Sequence, residues 1–246
     1  MAMMKKLLVC LLSVAVLLSF FGCSQPNDVR GDVTPNPTTE ATTEATTEAT
    51  TEATTEATTE ATTVPATEAE FDIGSSTGNT YKHEFIGIQC TLDSGWIFKT
   101  DEEMKAINKQ TLGMVGDDYK AMLANASVIQ DMLATDADQL NTINVVLEKL
   151  NVASLFVTEE QYMSLSKDPA VNALSTMGLN IISAEITNVE FAGKEHVALA
   201  IEAEISGIAM YEYIVLVKCN GYMACVTACT WVENTCMDIL SQFEPC

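Results

Sequence analysis

From Thr38 to Ala61 the unit Thr-Thr-Glu-Ala repeats six times without error. It then decays through Thr62 to Ala69. The tract carries no large apolar side chain up to Val64, it places a glutamate at every fourth position, and Pro26, Pro35, Pro37 and Pro65 flank it. It therefore cannot bury enough surface to offset the entropy of ordering. Glutamates at i and i+4 would also repel along a helix. Like charges extend such a chain, whose reach lies between roughly 35 Å as a flexible coil and about 150 Å when stretched. The tract is expected to act as a spacer, and its Ser/Thr and proline content also suits an O-glycosylated stalk. A core can form only in the 176 residues from Phe71 to Cys246, enough for one domain.

The segment before the tract reads as an address. A basic start, Lys5-Lys6, precedes an apolar run from Leu7 to Phe21 that is interrupted only by Ser13 and Ser19, and Gly22-Cys23 follow. A run this short favours a cleaved export signal over a spanning helix. Leu18-Ser19-Phe20-Phe21-Gly22-Cys23 resembles the lipobox of bacterial lipoproteins, in which a small residue precedes the cysteine that receives the diacylglyceryl group. The resemblance implies a signal peptide over 1–22, lipidation of Cys23, a linker over 23–70 and a head over 71–246. It implies an exported protein held on the cell membrane, facing the extracellular side. Two acyl chains would make the attachment stable, because each buried methylene contributes roughly 0.8 kcal/mol.

Charge narrows the partners. The chain carries a formal −22, and the head alone has 24 acidic residues against 9 lysines. Such a field repels phosphate backbones, so no nucleic acid partner is expected. Membrane contact is expected through the lipid at Cys23, with a protein or cell-envelope component as a further partner.

Within the head, the runs Phe85–Leu92 and Trp96–Phe98, separated by Asp93-Ser94-Gly95, read as a strand pair. Thr100 and Glu103 form a capping box, and Met104, Ile107, Val115, Tyr119 and Met122 continue at helical spacing to about Ala124. The runs Val128–Thr135 and Ile143–Leu150 read as a hairpin closed at Asp136-Ala137-Asp138-Gln139. A second capping box, Thr158 and Gln161, starts a helix expected to break at Asp168-Pro169 and to end at Gly178. Four strands follow, separated by Ala192-Gly193, Ser206-Gly207 and Asn220-Gly221, the last being a strong hairpin signal. Tyr213–Val217 and Met223–Val232 are apolar on both faces, so they read as central strands covered on both sides. Asn234 is expected to cap a last helix carrying Met237, Leu240 and Phe243. The order implies an α+β fold, a mostly antiparallel sheet with helices packed on it.

The segment Tyr81-Lys82-His83-Glu84-Phe85-Ile86-Gly87-Ile88 and the turn Gly95-Trp96 resemble the opening of PsbP/DcrB-like domains. That resemblance implies an α+β sandwich serving as a noncatalytic accessory or binding domain. It brings no catalytic residue, cofactor or metal ligand to any position here.

Six cysteines lie in the head: Cys90, Cys219, Cys225, Cys229, Cys236 and Cys246. Fifteen pairings are conceivable for six cysteines in an exported chain. Cys225 and Cys229, four residues apart on one strand, stand about 13 Å apart, too far to bridge. A two-residue turn at Asn220-Gly221 sets Cys219 opposite Tyr222, Cys225 opposite Leu216 and Cys229 opposite Glu212. It also puts Cys219 on the other face from Cys225 and Cys229, which disfavours a three-cysteine zinc site. Buried reduced thiols are the expectation, with one or two disulfides as the alternative. Gly74-Ser75-Ser76-Thr77-Gly78 matches the G-x-S-x-G pattern of hydrolases, yet extended chain follows where a nucleophile elbow needs a helix. His83 and His196 are the two available bases, and His196 reads as a solvated strand-end residue. Asp131, Asp136 and Asp138 could offer oxygens to calcium, but the EF-hand glycine and terminal glutamate are missing, so a solvated turn is expected. The head is thus expected to bind without catalysis. The alternatives are an envelope thiol enzyme or redox protein, and a solute-binding subunit of a transporter.

Overall fold

The structure is a computed structural model, and it describes residues 71–112, 123, 126–152 and 154–246. The signal, Cys23 and the Thr-Thr-Glu-Ala tract lie outside the described residues, as do Val115, Tyr119 and Met122 of the first helical pattern. In chain order the elements are β1 (Ser75–Thr77), β2 (Thr80–His83), β3 (Ile88–Thr91), β4 (Trp96–Phe98), α1 (Asp101–Leu112), β5 (Val128–Asp136) and β6 (Thr142–Lys149). They continue with α2 (Glu159–Thr176), β7 (Asn180–Phe191), β8 (Lys194–Ile205), β9 (Ile208–Cys219), β10 (Tyr222–Trp231), α3 (Cys236–Leu240) and β11 (Phe243–Pro245). The class is α+β. A seven-stranded antiparallel sheet has the order β4-β5-β6-β10-β9-β8-β7, and a four-stranded antiparallel sheet has the order β1-β2-β3-β11.

Turn chemistry sets the long hairpins. Ala192-Gly193, Ser206-Gly207 and Asn220-Gly221 all have positive φ at both residues, from 46° to 80°. That conformation matches the right-handed twist of the flanking strands, so each strand returns beside its predecessor. The register follows as the sequence implies, with Cys219 opposite Tyr222, Cys225 opposite Leu216 and Cys229 opposite Glu212. β10 lies at the centre, and both its faces are covered. One face packs against Tyr81, Ile88, Cys90 and Phe243 of the small sheet and against Ile239 and Leu240 of α3. The other packs with Met163, Ala170 and Leu174 of α2.

Four expectations are corrected. The strands β3 and β4 do not pair: both edges of β3 are taken, by β2 and β11, so the chain leaving it crosses to the large sheet. There Trp96 faces Asp136 and Phe98 faces Ala134. Pro169 does not break α2, which runs from Glu159 to Thr176. The buried stripe Tyr162, Met163, Ser166, Ala170 and Leu174 continues across the proline, and packing on the sheet holds the turn that the lost N–H would have bonded. Phe243 is not helical: it opens β11, faces Cys90 and packs its ring, tilted by 37°, 5.1 Å from that of Phe191. Asn234 is not the N-cap of α3: Thr235 occupies that position without a side-chain bond, and Asn234 takes the Cys236 N–H at 3.4 Å.

At its outer side β5 outruns the three-residue β4, and a side chain completes the pairing. The Asn108 amide of α1 donates to the Gln130 carbonyl at 2.8 Å and accepts from the Gln130 N–H at 2.9 Å. Asn108 is buried, so removing it strands both backbone groups. Asn108→Ala should lower the stability measured by urea unfolding by about 1–3 kcal/mol, whereas Gln110→Ala, at an exposed position of the same helix, should change it by less than about 0.5 kcal/mol.

Candidate functional site

The register of β5 against β6 shifts between Gln130 and Met132, which leaves Asp131 as the extra residue of a bulge. A bulge re-aims the side chain it carries. Asp131 accepts the Tyr81 hydroxyl at 2.6 Å and the Gly74 N–H at 3.1 Å on both oxygens. A β-carbon on residue 74 would collide with the Tyr81 ring and this carboxylate, so the approach requires glycine. His83 Nε2 stands 3.7 Å from Asp131 Oδ2, beyond hydrogen-bond reach, with both side chains buried. Burial pulls the His83 pKa below its ordinary value despite the attraction of Asp131, so the ring is neutral at pH 7. Burial, reinforced by the Asp131 charge, raises Tyr81 well above a normal phenol. The carboxylate therefore latches the β1–β2 hairpin onto the large sheet.

Beside this latch opens a cleft of about 310 Å³ whose lining includes Ser76, Lys99, Asp101, Glu102, Lys105 and Asp131. Charges of both signs meet at its rim. Lys99 is drawn to Glu103 at 3.1 Å, and Thr100 and Glu103 form the capping box read from the sequence. Such a rim suits a ligand with polar groups of both signs. Ser76 lies mid-strand opposite Tyr81, in a strand-turn-strand hairpin, so the elbow geometry does not form. The three aspartates considered for calcium do not converge. Asp131 faces Tyr81 and Gly74, while Asp136 takes the Leu140 N–H at 2.8 Å and the Asn141 amide at 2.8 Å within the turn.

His196 is tied into the fold. Its Nδ1 lies 3.2 Å from both oxygens of Glu159, in the first turn of α2, and Glu159 also receives the Lys218 N–H at 2.8 Å. Burial acts to raise the Glu159 carboxyl, but the bonds from His196 and Lys218 prevail and hold it below its ordinary value. The solvated strand end expected for His196 is thus a clamp that fixes α2 over β8 and β9.

No disulfide joins the six head cysteines; Cys90, Cys225, Cys229 and Cys236 are buried as expected, whereas Cys219 is half-buried and Cys246 is exposed. Burial pushes Cys90 up to about 12 and Cys236 up to about 11. Cys219 and Cys229 are raised for the same reason, Cys229 further still. These groups stay protonated at pH 7, the opposite of an activated thiolate.

One feature escaped the sequence reading. Glu212 sits within the run Met210–Cys219, next to Cys229 in the row Thr142–Cys229–Glu212, and is fully buried. Among the described residues neither carboxylate oxygen has a hydrogen-bond partner, and the same holds for Thr142 Oγ1, Asn144 Oδ1 and Thr227 Oγ1 on that sheet face. Burial alone drives the Glu212 pKa up to about 7. A lone acid facing inward on a central strand was the available signal.

No protein-family model and no curated protein matches the chain. Among solved structures, the chain is similar to the solution structure of cyanobacterial PsbP (CyanoP) from Synechocystis sp. PCC 6803, with 13% identity and a TM-score of 0.39 over 70% of this chain and 98% of that one. It is also similar to the crystal structure of LpqN, involved in cell envelope biogenesis of Mycobacterium tuberculosis, with 11% identity and a TM-score of 0.36 over 64% and 82% of the respective chains.

Because Glu212 holds its proton more tightly when folded than its ordinary 4.5, the folded state binds more protons between about 4.5 and about 7. Stability conferred by this group is therefore full below about 4.5, falls as pH rises, and levels off above about 7. Glu212→Gln stays neutral throughout. Relative to wild type it should gain stability with rising pH, reaching on the order of 3 kcal/mol in alkaline urea titrations and little in acid ones.

Proposed function

We propose that the protein is exported, held on the outer side of the cell membrane by acyl chains on Cys23, and binds a protein or cell-envelope component through its head without catalysing a reaction. One observation carries this reading: Gly22-Cys23 closes a basic-then-apolar signal and is followed by 47 residues of spacer before the folded domain begins. A chain built this way keeps its head tethered within the spacer's reach of the bilayer. The head supports binding. Its cleft beside α1 presents lysines and carboxylates at the rim, while the Asp131 carboxylate on its floor already accepts the Tyr81 hydroxyl and the Gly74 N–H. A carboxylate so engaged orients structure rather than taking a substrate proton.

Expressed in a bacterial host, the wild-type chain should incorporate labelled palmitate and sediment with the membrane fraction. Cys23→Ser should take up no label and leave that fraction. A variant that remains bound to the membrane as wild type does would rule the lipid attachment out.

A further inference from the structure

The loop between β6 and α2 presents apolar side chains to solvent in an unusual concentration. Phe156 is 85% exposed, Val152 79% and Leu155 40%, all within one short connection. Single exposed apolar residues are ordinary, but three on one loop are a patch. The loop is also braced. Lys218 Nζ donates to the Leu155 carbonyl at 2.6 Å and to the Val157 carbonyl at 2.7 Å. The Asn151 side chain accepts the Ser154 N–H at 3.1 Å, and its carbonyl accepts the Leu155 N–H at 3.0 Å. A tip fixed this way loses little entropy on burial, which favours an anchoring role.

The position of the tip identifies its occupant. The loop lies against the β9–β10 turn, where the Leu150 N–H meets the Gly221 carbonyl at 2.8 Å. The spacer joins the head at the same end: Phe71 stacks on Tyr222, the first residue after that turn, at 4.9 Å, and meets Phe85 at 5.3 Å. The apolar tip and the covalent link toward Cys23 thus share one end of the domain. We infer that the Val152, Leu155 and Phe156 side chains of this tip insert into the interfacial layer of the phospholipid bilayer, giving the head a second, reversible membrane contact. Three side chains are too few for a stable protein interface, which buries about 1,600 Å². They suit shallow insertion beneath the headgroups. The head, with 24 acidic residues against 9 lysines, is not drawn to anionic lipid, so the contact is apolar. Tethering raises the effective concentration of the tip at the surface to the millimolar range, so a weak intrinsic affinity suffices.

The inference uses the lipid reading of Cys23 only to bring the head near a bilayer, and its test does not depend on it. The chain lacking its signal and carrying Cys23→Ser is mixed with phosphatidylcholine vesicles, and partitioning is measured by co-sedimentation. The chain should partition weakly but measurably, and Phe156→Asp and Val152→Asp should each reduce the partition coefficient about tenfold or more. Both residues are exposed, so the variants should fold, which urea unfolding checks. Ile97→Asp provides the control. It is also exposed, but its row lies seven residues along the sheet from the Tyr222 end, roughly 23 Å away, and it should change nothing. Absence of partitioning, or equal loss from Ile97→Asp, overturns the inference and leaves the Cys23 reading standing. A Phe156-dependent dimer in solution without vesicle binding would assign the tip to a second copy of the chain and overturn it equally.

Discussion

Both faces of β10 are buried, and that constraint dictates what the other elements must do. From Tyr222 to Thr230 every side chain is shielded, with alternate residues belonging to opposite cores. A strand of this kind is stable only inside a sheet that is covered twice, because each exposed Val, Leu or Met would forfeit roughly 1.5–3 kcal/mol. The small sheet with α3 supplies one cover and α2 the other. The clamps follow from this need. Asp131 fastens the β1–β2 hairpin through Tyr81 and Gly74, and Glu159 fastens α2 through His196 and Lys218. Polar groups that resembled catalytic candidates are those that hold the covering layers in place.

The sequence discloses what is local and periodic. Three turn dipeptides ending in glycine set four long strands and their register, and two capping boxes mark two helix starts. It conceals what depends on distant partners. The small sheet joins Ser75–Thr77 to Phe243–Pro245 through strands of three or four residues, too short to show a period and paired across nearly the whole head. Pro169 signals a break that tertiary packing overrides. Asp131 reads as a turn-side acid until the bulge turns it between the sheets, and Glu212 lies inside an apolar run whose covering face no short window can identify. His83 and Asp131 were separate candidates in the sequence; the fold brings them within 3.7 Å and leaves Ser76 at the neighbouring cleft.

Function divides along the chain in the same way. The head supplies a mixed-charge cleft beside α1 and a braced apolar tip at the end where Phe71 enters. The spacer proposed ahead of it would supply reach. The acyl chains proposed on Cys23 supply location, and without them an acidic head has no electrostatic reason to stay near a membrane. On this account residue 23 governs where every other property is exercised.

The most direct measurement is therefore the mass and sequence of the mature N-terminal peptide from the membrane fraction of a bacterial host. The account predicts that the chain begins at Cys23 and carries a thioether-linked diacylglyceryl group. A mature chain with a free Cys23 thiol, or one that still begins at Met1, would contradict it.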